Sequence, residues 1–377
     1  MDACFYRRDD ALIIVHVDDM RVSGSLDTVT TIHAALHERF KITTSDATRF
    51  LGMDTRYDVT TGVMSMGMAT YIQATMDRFL NFDLSLGCPY REIVGCLLWI
   101  VLCVNGPDLV RVKDLAKRCN APSLIDYQDA VKVLKRIYKR RDTAIFFKRG
   151  FAGREWVPAS TRPPAEASVL EPTSVLALGL VSSSLDQSGP GQFSQMDILD
   201  TMEAMDTQLD IPEVILPTSS RFTTVAFTDA SFAVGDFKDS IAGYVLYVNC
   251  TPVMWGSMKQ SNGGDSTCSV EFVAASICCK QLIHLENMFR FFGFLCKKPY
   301  PVYTDSQAAF TIAMNDKRMG KIRHISIRYH LVRCMVMKGD VIMIFCVTED
   351  MVADLLTKIL TGSAYDRLSA RFYFLGV

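Results

Sequence analysis

Four carboxylates in the C-terminal part of the chain carry the strongest chemical signal. Asp229 ends an apolar run in Thr228-Asp229-Ala230-Ser231, and Asp305 ends another in Tyr303-Thr304-Asp305-Ser306. Glu271 is surrounded by Val270, Val273 and Ala274, and Asp354 lies between Val352-Ala353 and Leu355-Leu356. A single carboxylate in apolar surroundings is costly unless a cation or a hydrogen-bond donor compensates it. Converging carboxylates supply the oxygen ligands that magnesium, a hard ion, prefers. Two such ions about 3.5–4 Å apart serve both the attacking water and the leaving oxygen of a phosphodiester. Each residue alone also has an ordinary reading. Asp229 and Asp305 could be turn or cap residues, Glu271 could favour a helix N-terminus, and Asp354 could be a solvated helix residue. Their order and their placement on predicted elements argue for the joint reading.

Ligands in an α/β sheet converge best at the carboxyl ends of neighbouring strands. The apolar patterns predict strands over 222–228, 241–248, 252–257, 301–304 and 341–347. Helices are predicted over 270–292, 306–314 and 322–337, with a last one starting near Thr348 and carrying Asp354. The long helix places apolar residues 270, 273, 274, 277, 278, 285, 288, 289 and 292 at helical spacing. The order βββ-α-β-α-α-β-α describes an α/β fold, a mixed five-stranded sheet flanked by helices.

The words around these residues resemble the ribonuclease H domain of copia-type retrotransposon Pol polyproteins. They are Thr228-Asp229-Ala230-Ser231-Phe232-Ala233, Asp239-Ser240-Ile241-Ala242-Gly243-Tyr244, Trp255-Gly256-Ser257-Met258-Lys259-Gln260 and Val270-Glu271-Phe272-Val273-Ala274-Ala275. Further along come Thr304-Asp305-Ser306-Gln307-Ala308-Ala309, His324-Ile325-Ser326-Ile327-Arg328-Tyr329-His330 and the run from Thr348 to Lys358. The resemblance implies a ribonuclease H-like domain over 221–377 that cuts RNA in RNA–DNA hybrids. It also implies that Asp229, Glu271, Asp305 and Asp354 are its catalytic and metal-binding residues, holding two Mg2+ ions, with Mn2+ as the alternative. Ser269 stands where family members often carry an additional Glu. His324 and His330 are read as packing or capping residues rather than proton shuttles.

The region 1–150 resembles the latter half of a copia-type reverse transcriptase. His16-Val17-Asp18-Asp19-Met20 is similar to the family's palm hairpin, with His16 in place of Tyr, and Phe50-Leu51-Gly52-Met53 and the run from Tyr90 to Leu97 also match. Asp18 and Asp19 are thus a polymerase remnant, while the segments expected before them, including the first catalytic aspartate, are absent from this sequence. One aspartate pair does not suffice to hold both metals, so polymerase activity is not expected. A helix over 129–141 carries Lys135, Arg136, Lys139 and Arg140 on one face, a candidate nucleic-acid contact against the alternative of a solvated face. The stretch 151–220 is rich in Pro and Ser and reads as a flexible linker or insertion. An inactive retroelement relic that at most binds nucleic acid remains the alternative to a working nuclease.

Composition sets the remaining bounds. A length of 377 residues suggests more than one domain. The formal net charge of −1 excludes a bulk positive field, so a hybrid must be gripped by local patches. Twelve cysteines without a CxxC pair read as small buried hydrophobes in a reducing compartment. The longest apolar run, 93–104, is shorter than the roughly 20 residues that span a bilayer. The N-terminus is charged and carries no signal peptide pattern. The expectation is a cytoplasmic or nuclear protein with an RNA–DNA hybrid as partner, no membrane, and other retroelement Pol or Gag products as further candidate partners.

Overall fold

The computed structural model describes residues 5–8, 10–17, 19–46, 48–83, 85, 87–148, 179–185, 221–234, 239–260, 266–314 and 326–375. Strands β1 (Phe5–Arg8), β2 (Ala11–His16) and β3 (Asp19–Gly24) form an antiparallel meander. Ala11, Ile13 and Val15 alternate inward along β2, as do Met20 and Val22 along β3. Helix α1 (Leu26–Arg39) lays Val29, Ile32 and Leu36 on that face, so the two-residue and helical periods meet in one small core. Strand β4 (Ile42–Asp46) completes this sheet at its far edge. A second sheet holds β5 (Arg49–Phe50), β6 (Met53–Asp58), β7 (Val63–Gly67) and β8 (Ile145–Lys148) in that order.

Between β7 and β8 come four helices, α2 (Ala69–Leu80), α3 (Tyr90–Cys103), α4 (Leu109–Ala116) and α5 (Leu124–Tyr138). The helix expected from residue 129 begins earlier because Ser123 and Asp126 form a capping box at its start. Strand β9 (Gly179–Leu185) lies between β3 and β4, antiparallel to both. Its Ser-rich composition reads as linker, yet two open strand edges supply the backbone partners that fix it as a strand. The rest of the 151–220 stretch lies outside the described residues.

The C-terminal sheet contains β11 (Thr224–Val234), β12 (Asp239–Val248), β13 (Thr251–Lys259), β15 (Tyr300–Thr304) and β16 (Val341–Phe345), in the order β13-β12-β11-β15-β16. The first three strands are antiparallel neighbours, while β11, β15 and β16 run parallel. The short pair β10 (Arg221–Phe222) and β14 (Leu295–Cys296) stands beside it. This is the mixed five-stranded sheet the sequence pattern predicts. Helices α6 (Thr267–Phe291), α7 (Gln307–Met314) and α8 (Ser326–Met337) cover one face, around Ala226, Leu246, Val302 and Met343. The other face, with Phe227, Val245, Tyr247 and Tyr303, packs on α9 (Gly362–Tyr373) and is continuous with the core of α2–α5. Trp255 on β13 donates to the carbonyl of Val101 on α3 at 2.9 Å, tying the helical layer to the sheet.

Helix α6 is, among the described residues, the one helix long and apolar enough to cross a membrane, and most of it is buried in the core. The segment expected as a helix from Thr348 instead forms two short 3-10 turns, Thr348–Asp350 and Val352–Leu356, before α9 begins. All five residues of the second turn are buried, so no amphipathic face stabilises a longer α-helix there. Eleven cysteines are free among the described residues; Cys250, Cys278, Cys279 and Cys346 are buried, while Cys88 and Cys334 are exposed.

Candidate active site

Strand β11 delivers Asp229 to the sheet face opposite α6, since Phe227 and Asp229 alternate with Ala226 and Ala230. The neighbouring parallel strand β15 ends at Thr304, so Asp305 emerges beside Asp229 at the carboxyl end. The Val352–Leu356 turn brings Asp354 over the same point. Oxygen atoms of Asp229, Asp305 and Asp354 all lie within 4.8 Å of one another. Asp229 and Asp354 are buried, at 1% and 6% exposure, and Asp305 is half-buried.

Glu271, expected in the first turn of the long helix, lies one turn further in because α6 begins at Thr267 with Ser266 as its cap, and it completes the set electrostatically. Its Oε2 is buried with no hydrogen-bond partner among the described residues. The backbone N–H of Ala230 donates to its carboxylate. Burial, and then the charges of Asp229 and Asp305, push its pKa up to about 9. Burial likewise lifts Asp229 to about 7, with Asp354 and Asp305 adding to the rise and Lys358 opposing it. Asp354 is raised by burial against the pull of Lys358. These shifts describe three acidic groups, Asp229, Glu271 and Asp354, crowded out of water with too little positive charge between them. Such a donor set, all oxygen and partly unpartnered, fits a hard divalent cation.

Four residues that the motif reading quoted without a role build the walls. The Thr357 hydroxyl donates to Asp229 Oδ2. Lys358 Nζ lies 2.8 Å from Asp354 Oδ1 and 3.5 Å from Asp229 Oδ2. Gly243, paired with Asp229 across β11 and β12, lets the turn approach: a Cβ there would stand 2.7 Å from Thr357 Cγ2 and 2.9 Å from Leu356 Cβ. A glycine inside an otherwise apolar strand was the available signal for that close approach. On the other side, Thr348 donates to Asp305 Oδ2 at 3.1 Å.

The remaining candidates lie elsewhere. His16 and Asp19 face each other across the β2–β3 hairpin, whose turn residue Val17 has φ of 57°; Asp18 lies outside the described residues. Asp19 also lines a cleft of about 710 Å3 with Arg49, Asp54 and Arg56. His324 and the side chain of His330 lie outside the described residues. The cationic face expected on α5 is split. Lys135 and Lys139 are exposed, but Arg136 donates to the fully buried Asp108 at 3.0 Å, and Arg140 donates to Asp366 at 2.6 Å. Both guanidiniums stack over the Tyr365 ring, at 4.1 and 4.5 Å from its centroid. A buried acid 28 residues away along the chain thus turns Arg136 inward, while Arg140 is held by the exposed Asp366.

No family model matches the chain. Among curated proteins it is 26% identical over 160 residues to the retrovirus-related Pol polyprotein from transposon RE1 of Arabidopsis thaliana, 42% of this chain and 11% of that protein. It is 32% identical over 142 residues to the corresponding polyprotein from transposon TNT 1-94 of Nicotiana tabacum, 37% of this chain and 10% of that protein. The matched part is thus about a tenth of the length of these relatives. Among solved structures, the N-terminal RNase H domain of a Mycobacterium tuberculosis protein overlaps 40% of this chain and 95% of its own, at 13% identity and a TM-score of 0.29. A foamy viral protease-reverse transcriptase in complex with dsDNA overlaps 39% of this chain and 96% of that one, at 16% identity and a TM-score of 0.27. The curated relatives of this chain are copia-type retrovirus-related Pol polyproteins, the family that its motifs resemble.

Proposed function

We propose that residues 221–377 form a metal-dependent endonuclease that cleaves the RNA strand of RNA–DNA hybrids. The observation that carries this reading is the meeting of Asp229, Asp305 and Asp354 oxygens within 4.8 Å, beside the buried, unpartnered Oε2 of Glu271. In it, these four carboxylates hold two Mg2+ ions, or Mn2+. When bound, the ions supply a polarised water and charge stabilisation at the leaving oxygen. Thr357 and Thr348 orient Asp229 and Asp305 by hydrogen bonds, so that these carboxylates keep their direction when a ligand arrives. The 1–150 region is read as the palm hairpin and thumb or connection helices of a reverse transcriptase, with no polymerase activity assigned to it.

The test is cleavage of a hybrid labelled on its RNA strand, with the full chain and Mg2+. Products from RNA with the DNA strand intact are expected, and chelation should stop the reaction. Asp229→Asn and Asp305→Asn should each lower the rate by roughly a hundredfold or more, since each removes a ligand charge. Wild-type rates in both variants would move the site elsewhere. A folded wild-type chain with no cleavage under Mg2+ or Mn2+ would favour the inactive relic.

A further inference from the structure

The proposed ion site already contains a cation. Lys358 follows the Asp354 turn, and its backbone N–H donates to the Asp354 carbonyl at 2.9 Å, which fixes where its side chain starts. From there the ammonium reaches Asp354 Oδ1 at 2.8 Å and Asp229 Oδ2 at 3.5 Å. Those two carboxylates are only 8% and 2% exposed, whereas the Lys358 side chain is 39% exposed. One end of the contact is therefore fixed and dry, and the other has a route to water along a flexible four-carbon stem.

We propose that Lys358 is a built-in counter-ion that occupies the Asp229–Asp354 position in the metal-free protein and is displaced from it when a divalent ion binds. This inference rests on the metal-site reading above. An ammonium in contact with Asp354 Oδ1 holds an oxygen that the ion would use. A divalent charge placed among the same three aspartates would repel it at close range. Lys358 is well suited to leave, because its charge can be rehydrated without moving the turn. Metal affinity is thereby set by competition, and the empty site is kept from splaying apart under the mutual repulsion of its carboxylates.

The experiment measures binding of Mn2+ alone to the full chain, from the electron paramagnetic resonance signal of the free ion at neutral pH. Wild type should bind, and Asp229→Asn should lose binding. Lys358→Met and Lys358→Gln should bind roughly tenfold more tightly or better, while Lys358→Arg, which keeps the charge, should stay within about threefold of wild type. Unchanged or weaker binding by the Met and Gln variants, with the wild-type and Asp229→Asn results as expected, overturns the counter-ion proposal and leaves the metal site standing. No binding by wild type overturns both. Should the neutral variants not fold, a structure of the Mn2+-loaded wild type decides. Lys358 Nζ is expected beyond 4 Å from Asp354 Oδ1, and retention of the 2.8 Å contact overturns the proposal.

Discussion

Asp108 and Asp229 are both buried carboxylates, and the turns beside them pack together: Gly106–Asp108 rests on Val352–Leu356. Their partners differ in kind. Asp108 Oδ1 receives Arg136 at 3.0 Å with Arg111 at 3.5 Å, and its Oδ2 receives the Tyr365 hydroxyl at 2.9 Å. One acid is met there by two guanidiniums and a hydroxyl. Around Asp229 the proportion is reversed, with Asp354, Asp305 and Glu271 crowding one ammonium. The first region joins α3–α5 to α9 and has its charges matched. The second sits on the inner strands β11 and β15 of the sheet and has them open, the condition under which a buried site binds something from outside.

The largest effect should come from breaking the matched region. Asp108→Ala leaves Arg136 and Arg111 without their acid in a largely apolar interface. Removing one partner of a buried pair costs about 3–5 kcal/mol, and the third of Arg136 left exposed argues for the lower end. Urea unfolding of the variant should lose about 3 kcal/mol and expose the joint between α5 and α9 first. A loss under about 1 kcal/mol would mean that this cluster is no more structural than the open one.

The open region should respond with the opposite sign. Asp229 and Glu271 have folded pKa values of about 7 and 9, above their ordinary 3.8 and 4.5. A folded pKa above the unfolded one means that the folded state holds its protons more tightly. The resulting stability is complete below about pH 4 and is lost as pH rises through 7 towards 9. The chelated wild-type chain should therefore become less stable between pH 5 and 8.5, by roughly 2 kcal/mol or more. Asp229→Asn, which keeps an acceptor for Thr357, should flatten that slope and raise stability at pH 8, and Mg2+ should flatten it in wild type. Chelated wild type whose urea midpoint stays level or climbs over this range would show that the carboxylates are not held against their charge.

Legibility in the sequence divided along the same line. Asp305 lies where the sequence put it, just past a short apolar strand; Asp229, expected at a strand end, lies inside β11, Glu271 lies inside α6, and Asp354, expected on a helix, lies on a 3-10 turn. The sheet followed from short apolar runs, as over 341–347, because strands such as β11 bury both faces, with Ala226 on one and Phe227 on the other. The Asp108 hub could not be read, because two of its three partners come from residues 28 and 257 positions away. Arg136 and Arg140 carried the same sequence signal as Lys135 and Lys139, and burial of Asp108 and Tyr365 alone separates them. The 3-10 form of Val352–Leu356 was equally hidden, since a segment buried on every side has no helical period to display.

Gly243 links the two regions, because the turn it admits carries Asp354 on one side and rests on Gly106–Asp108 on the other. Gly243→Ala would place a methyl 2.9 Å from Leu356 Cβ and 3.1 Å from the Ala353 carbonyl. The turn must lift by a few tenths of an ångström or more, which typically costs about 1–2 kcal/mol. Cleavage should fall about tenfold or more, a larger effect than the stability loss suggests, because Asp354 moves relative to Asp229. Equal cleavage with lowered stability would show that the open cluster tolerates displacement.

The smallest expected effect concerns the exposed remainder of the α5 cations. The matched region has absorbed Arg136 and Arg140, so replacing them should act through folding, in the manner of Asp108→Ala. Lys135 and Lys139 lie one turn apart on the exposed side of α5, with Leu134 and Ile137 holding the helix against the core. Their removal leaves the packing untouched, so surface substitutions there should stay within about 0.5 kcal/mol of wild-type stability. If a hybrid passes this helix, each lysine meets at most one phosphate and releases about one counterion. The double variant Lys135→Ala with Lys139→Ala should then weaken hybrid binding several-fold and lower the slope of log affinity against log salt by up to about 2. Fluorescence anisotropy with a labelled hybrid at several salt concentrations measures both quantities. An unchanged slope with unchanged stability would assign the whole helix to the matched, structural region, and the hybrid would then be held by the C-terminal sheet and its own loops.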